Sequence, residues 1–390
     1  MPKNKRPVPR KSAATSEPQD DDDLLAQAMA DLALDVAVPE QDDAAEVRQK
    51  QDELDRMILN ALRKKNDGVL YDAIDRARYS DIPAYQLLCA SIEDASGVAV
   101  LRREGAPAME INAFAIPLFV HAVGGLSESE SFADPEAFDA MVGSFRKAGL
   151  ESEAARVVLV AHAYDPQEAA RITYCELNEI VREVHASMTA KKLIATPALE
   201  RSMTGWAPNE AAADEPTVEL RFLLGFALKR VDDPFYAVPD DEAGAEQYFD
   251  ARMARYRAWA GQAAPLVRRC LAAREDSIEV NFLYQDLFFG ALGHGFEELA
   301  TLRMMTQLNQ ALESGGIAPA LALARIAAAA SEDDLVMRVT LMGEGGSVLG
   351  TVEKPLDVAA DLEAEIEDIR DALAAIGIGN IEVAGAALPG

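Results

Sequence analysis

The chain is 390 residues long and 49% hydrophobic, with 66 acidic against 37 basic side chains and a formal charge of −29. Such a length and apolar share support one large core or two modest ones and exclude a wholly disordered polymer, while the charge opposes attraction to nucleic acid or anionic lipid, where Lys and Arg must displace counterions. Cys89, Cys175 and Cys270 form no CxxC pair, which argues against a disulfide framework and for a reducing cytoplasm.

The first fifty residues sort by charge: five bases and no acid through Lys11, then eleven acids and no base from Glu17 to Glu46. With Pro2, Pro7, Pro9 and Pro18 among them, residues 1–43 read as a solvated, disordered tail. Its basic tip has no apolar segment behind it and so does not read as a secretory signal. Inside the tail, DDDDLLAQAMADLALDV has the pattern of a short amphipathic helix, and a protein partner docking on it is the interaction this pattern allows.

Folded sequence is expected from Ala44, where Leu54, Ile58 and Leu62 recur at helical spacing before the stop Asn66-Asp67-Gly68. Two further helices follow, and then VAVLRREGAPAMEINAFAIPLFVHAV reads as two strands joined by a short loop. Pro117 has no N–H to give to a ladder, which predicts an edge strand or a bulge. Asp134-Pro135 opens a helix to Gly149, RVVLVAHAY is a strand, and a long helix starts at Asp165-Pro166 with Tyr174, Leu177, Val181, Val184 and Met188 on one stripe. Residues 196–216, with three prolines and few apolar side chains, read as a loop or joint between an N-terminal domain (44–195) and a C-terminal domain (217–390).

Beyond it, TVELRFLLGFALKRV is a strand, and a helix over about 242–274 carries Phe249, Met253, Tyr256, Ala260, Ala263, Val267 and Cys270. DSIEVNFLYQDLFFG reads as a strand, its glycines as a turn, and the next helix as starting near Phe296. The ending is a hairpin around Gly343–Gly346, a helix with Leu362, Ile366, Ile369 and Leu373 on one stripe, and a last strand, NIEVAG. This β-β-α-β unit predicts an α+β fold: mixed sheet with helices packed on one face.

The chain holds no GxGxxG, GxxxxGK[ST], HExxH or GxSxG, so no cofactor and no metal are expected. His121 and His162 each end a strand, as partly exposed structural residues or as candidate catalytic groups. The richest stretch is YQDLFFGALGHGFEEL, residues 284–299. If a turn brings Tyr284, Asp286, His294 and Glu297 to one rim, a general base, a carboxylate and a phenol meet there. In the alternative, the aromatics are core and the two Glu favour the first turn of a helix.

The segment YQDLFFGALGHGFEELATLRMM, together with Gly350, Val352, Pro355 and Leu356 in the closing hairpin, resembles the distal part of an uncharacterised family of proteobacterial proteins. The resemblance implies a bacterial cytoplasmic setting and carries over no catalytic residue. Taken together, the sequence favours a non-catalytic interaction or regulatory protein. One alternative is an enzyme working at Tyr284, Asp286 and His294. A second is nucleic-acid association through Lys3 to Lys11, which the acidic body disfavours.

Overall fold

The computed structural model describes residues 18–39, 44–102, 104–124, 135–191, 196–203, 216–271, 278–331 and 334–384. Two compact units divide the chain, Met1–Cys89 and Ala90–Gly390. The fold is α+β.

The first unit contains α1 (Pro18–Ala37), α2 (Ala44–Lys64), α3 (Asp67–Ser80) and the start of α4 (Ile82–Gly97). Helix α1 thus lies inside the stretch expected to be a disordered tail, before Ala44; residues 1–17 and 40–43 of that stretch lie outside the described residues. The reason lies in Ala26, Met29, Ala30 and Ala33, a buried stripe at helical spacing whose small side chains let α2 and α3 close on α1. Met29 is covered within the unit, whereas Leu24 of the same helix is 69% exposed. Arg76 of α3 pairs with Asp23 at 3.1 Å, and Lys50 of α2 with Asp35 at 3.0 Å.

In the second unit, β1 (Val98–Leu101), β2 (Met109–Val123), β3 (Arg156–Tyr164), β4 (Pro216–Arg230), β5 (Glu279–Phe282) and β6 (Asp286–Leu287) form one antiparallel sheet. β2 pairs with β4 along its full length, from Met109↔Arg230 to Val123↔Pro216. That pairing overturns the division into domains 44–195 and 217–390, since strands from both sides of residues 196–216 share one ladder. The expectation of helices on one face is overturned for this sheet too. Phe114, Ile116, Leu118 and Val120 meet α5 (Pro135–Lys147) and α9 (Glu242–Cys270). Ile111, Ala113, Phe222, Leu224 and Phe226 face the opposite way. There they meet α6 (Pro166–Arg171), α7 (Tyr174–Lys191), α8 (Pro197–Ser202) and α10 (Phe288–Gly315). Runs such as INAFAIPLFV are apolar at odd and even positions alike, as strands covered on both faces require.

The second sheet, order β10-β7-β8-β9, is mixed: β10 (Asn380–Val383) runs parallel to β7 (Leu323–Ser331), while β8 (Asp334–Met342) and β9 (Val348–Pro355) are antiparallel. Here α10 and α11 (Leu362–Ala375) do cover a single face. The expected hairpin, helix and final strand are present, and Gly345 and Gly346 turn the hairpin with φ of 74° and 80°. β7 has no counterpart among the elements expected from the sequence. Its LARIAAAAS favours helix on propensity, and pairing with β8 and β10 on both edges overrides that preference.

Candidate functional site

Pro117 lies in the central strand, not at an edge. Its carbonyl accepts from Leu283 N at 2.9 Å, so its nitrogen faces the same neighbour. On that side β5 ends at Phe282 and β6 begins at Asp286. The missing donor thus coincides with the break in the ladder, and residues 283–285 leave the sheet there. The Tyr256 hydroxyl of α9 donates to the Leu283 carbonyl at 2.6 Å, and its ring packs 4.7 Å from that of Tyr284.

The displaced segment closes one side of a cavity of about 320 Å³ between the sheet and the N-terminal half of α9. Asn112 and Phe114 of β2, Lys229 of β4, Arg252 of α9 and the side chains of Tyr284 and Gln285 line it. Tyr236, Tyr248 and Phe249 complete an aromatic wall. Phe249, expected in the core, is 56% exposed, while Trp259 takes a core place beside Tyr256. Arg252 donates from Nε to the Tyr284 hydroxyl at 3.0 Å. Lys229 pairs with Glu110 at 3.1 Å and stands 4.4 Å over the Tyr236 ring. Burial pushes the Tyr236 phenol above its usual range. Among the described lining residues, three hold a buried atom with no hydrogen-bond partner: Asn112 Oδ1, Gln285 Oε1 and Arg252 Nη1.

The four residues drawn from the 284–299 stretch separate. Tyr284 and Asp286 line the cavity. His294 is exposed on α10 and takes no part in the lining. Glu297 stands 3.6 Å from Lys354 of β9, beside the second core. The expected glycine turn is helix: α10 starts at Phe288 and runs through Gly290, Gly293 and Gly295. Gly295 has a packing reason, because a Cβ there would sit 2.7 Å from the Phe222 ring and 3.3 Å from Pro117 Cβ. Of the site residues that sequence reasoning missed, Arg252 had a signal. It falls on the same helical stripe as Tyr256, Trp259 and Ala263, a cation on a largely buried face.

At the start of α10 the N-cap residue Leu287 offers no side-chain bond, and Glu93 of α4 supplies one instead, its Oε1 accepting from Gly290 N at 2.6 Å. Burial pushes the Glu93 carboxyl above the usual carboxylate range, and the nearby Asp286 charge adds to this against the pull of the Gly290 and Phe289 N–H groups. A carboxyl raised in the folded state contributes stability below its unfolded range and loses it as pH rises through the folded value. The stability gap between wild type and Glu93→Gln is therefore expected to be larger near pH 4 than near pH 7 in urea titrations. Glu93→Ala should cost about 1 kcal/mol, the scale of a lost helix cap. A pH-independent gap would show Glu93 to be fully hydrated.

A second polar cluster lies on the opposite face of the sheet, where His162 Nε2 is 3.2 Å from Glu168 and Arg221 bonds Glu219. Its charges pair with one another. Among the described residues, no group of three or more His, Cys, Asp or Glu is placed to hold a metal, and no helix is long and apolar enough to cross a membrane. Comparison with protein-family models, curated proteins and solved structures finds no match for this chain.

Proposed function

We propose that the chain is a non-catalytic, ligand-responsive regulatory or interaction protein of the bacterial cytoplasm, and that the cavity between the six-stranded sheet and α9 holds its ligand. The carrying observation is one aromatic-walled space lined by Asn112, Gln285 and Arg252, residues that each also hold a buried polar atom without a partner. Each such group costs about 1–3 kcal/mol when left unpaired. Among the described residues no histidine, cysteine, serine or threonine lines the cavity, so its groups favour holding a ligand over attacking one. Tyr284 and Asp286 on the same wall are what the enzyme reading retains. The cytoplasmic setting draws support from cysteines that form no disulfide and from the family resemblance.

The test is a fragment screen of the full chain by ligand-observed NMR, followed by thermal unfolding. A fragment held at about 100 times its Kd should raise stability by about 2.7 kcal/mol. Ala227→Phe, which fills the cavity from β4, is expected to abolish binding while leaving the far-UV circular dichroism unchanged. A screen without hits, or hits indifferent to Ala227→Phe, would overturn the proposal.

A further inference from the structure

The lining of the cavity, resting on the ligand-binding reading, narrows the class of ligand. We infer that the cavity takes a small uncharged aromatic molecule of one or two rings, held by contact with apolar side chains and not by an ion pair.

Charge comes first, because the lining balances it without a ligand. Lys229, Arg252 and Asp286 are the charged residues around the cavity. Lys229 pairs with Glu110 at 3.1 Å and stands over the Tyr236 ring. Arg252 donates to the Tyr284 hydroxyl and places its guanidinium carbon 5.8 Å from the centre of the Tyr236 ring, while the Asp286 carboxylate on the same wall offsets its charge. With Glu110 counted, positive and negative groups cancel, so a charged ligand would leave water to meet no spare counterion. Apolar surface comes next. Phe114, Phe145 and Leu150 belong to the core under α5 and α9 and also line the cavity. Val238 and Phe249, 42% and 56% exposed, are large apolar side chains that the protein leaves in water beside it. Covering them is favourable in proportion to the area removed from water. Shape is third. Tyr248 meets Phe249 edge to face at 5.4 Å, and Tyr236 and Tyr284 add further rings against which another ring can pack. The volume of about 320 Å³ is roughly twice the ~150 Å³ of an apolar cavity that accepts benzene, room for fused rings or for one ring with a short chain.

The experiment is calorimetric titration of the full chain with 3-phenylpropan-1-ol, 3-phenylpropanoate and 3-phenylpropan-1-amine, which share ring and chain and are neutral, anionic and cationic at about pH 7. The alcohol is expected to bind tightest, with the acid and the amine each at least about tenfold weaker. Its affinity should hold constant between about 0.05 and 0.5 M salt, since no ion pair forms. Phe249→Ala, at an exposed position, should weaken the alcohol about threefold to tenfold, and Ala227→Phe should abolish its binding. Should Ala227→Phe fail to fold, the loss in Phe249→Ala locates the site by itself. An acid or amine that binds at least as tightly as the alcohol, and is weakened by Phe249→Ala, would overturn the uncharged class and leave the ligand-binding reading intact. Alcohol binding indifferent to both variants would overturn the class as well. If the alcohol does not bind while the fragment screen yields hits blocked by Ala227→Phe, the class falls alone; if that screen yields none, both fall.

Discussion

Lys354→Met is expected to lower the free energy of unfolding by about 3–5 kcal/mol at neutral pH. Lys354 projects from β9 with its side chain only 3% exposed, its Nζ 2.9 Å from Glu365 Oε2 of α11 and 3.6 Å from Glu297 Oε1 of α10. Without the ammonium, the Glu365 carboxylate, its side chain 11% exposed, loses its counterion and faces the half-exposed Glu297. The Glu297 carboxyl already stands above the usual range, raised by burial and then by its hydrogen bond with Glu365, against the pull of Lys354. The loss should therefore be largest where both acids are ionised and shrink as pH falls and they take up protons. Removing both partners in Lys354→Met, Glu365→Leu should recover much of the lost stability, because no buried charge then lacks its counterion. Urea titrations at about pH 7 and pH 5 check both statements. A single-variant loss below about 1 kcal/mol would mean that the cluster is solvated and contributes as a surface pair does.

Trp259→Ala should cost about 3–5 kcal/mol, measured by calorimetric or urea unfolding. The indole is fully buried, with its ring 4.6 Å from Phe145, 5.1 Å from Tyr256 and 5.1 Å from Phe282. Its Nε1 donates to Ser144 Oγ at 2.6 Å, and that hydroxyl donates in turn to the Met141 carbonyl at 2.5 Å. Trp259→Phe keeps most of the ring contact and gives up the hydrogen bond, so it should cost about 1–3 kcal/mol. Because Phe145 also lines the ligand cavity, the alanine variant should weaken fragment binding more than the phenylalanine variant does. Equal stability of wild type and Trp259→Ala would contradict the packing described for α5 and α9.

Local periodicity made much of this architecture legible. The stripe of α7 buries Leu177, Val181, Val184 and Met188 as its spacing requires, and the closing hairpin, α11 and β10 arise from turn glycines and a helical repeat. The failures have a common origin in partners distant along the chain. Gly290 and Gly295 look like turn residues until Glu93 is seen to bond the helix start and Phe222 to occupy the space beside Gly295. LARIAAAAS looks helical until two strands claim its edges. The segment 196–216 looks like a domain joint until β2 and β4 pair across it. The site behaves the same way. Tyr284 and Asp286 were visible within one aromatic-rich stretch, whereas Asn112, Arg252 and Lys229 join them only when the sheet and α9 come together.

One helix serves two hydrophobic centres. α10 gives Phe288, Ala291 and Leu292 to the six-stranded sheet and Met304, Leu308 and Leu312 to the four-stranded one. Each residue added to a helix rotates the remainder by about 100° and advances it by about 1.5 Å. The stretch between Leu292 and Met304 therefore works like a camshaft, fixing the phase in which the two sheets are mounted. Substitutions on its outward side leave that phase alone, whereas a single insertion or deletion would swing one set of lobes off its bearing.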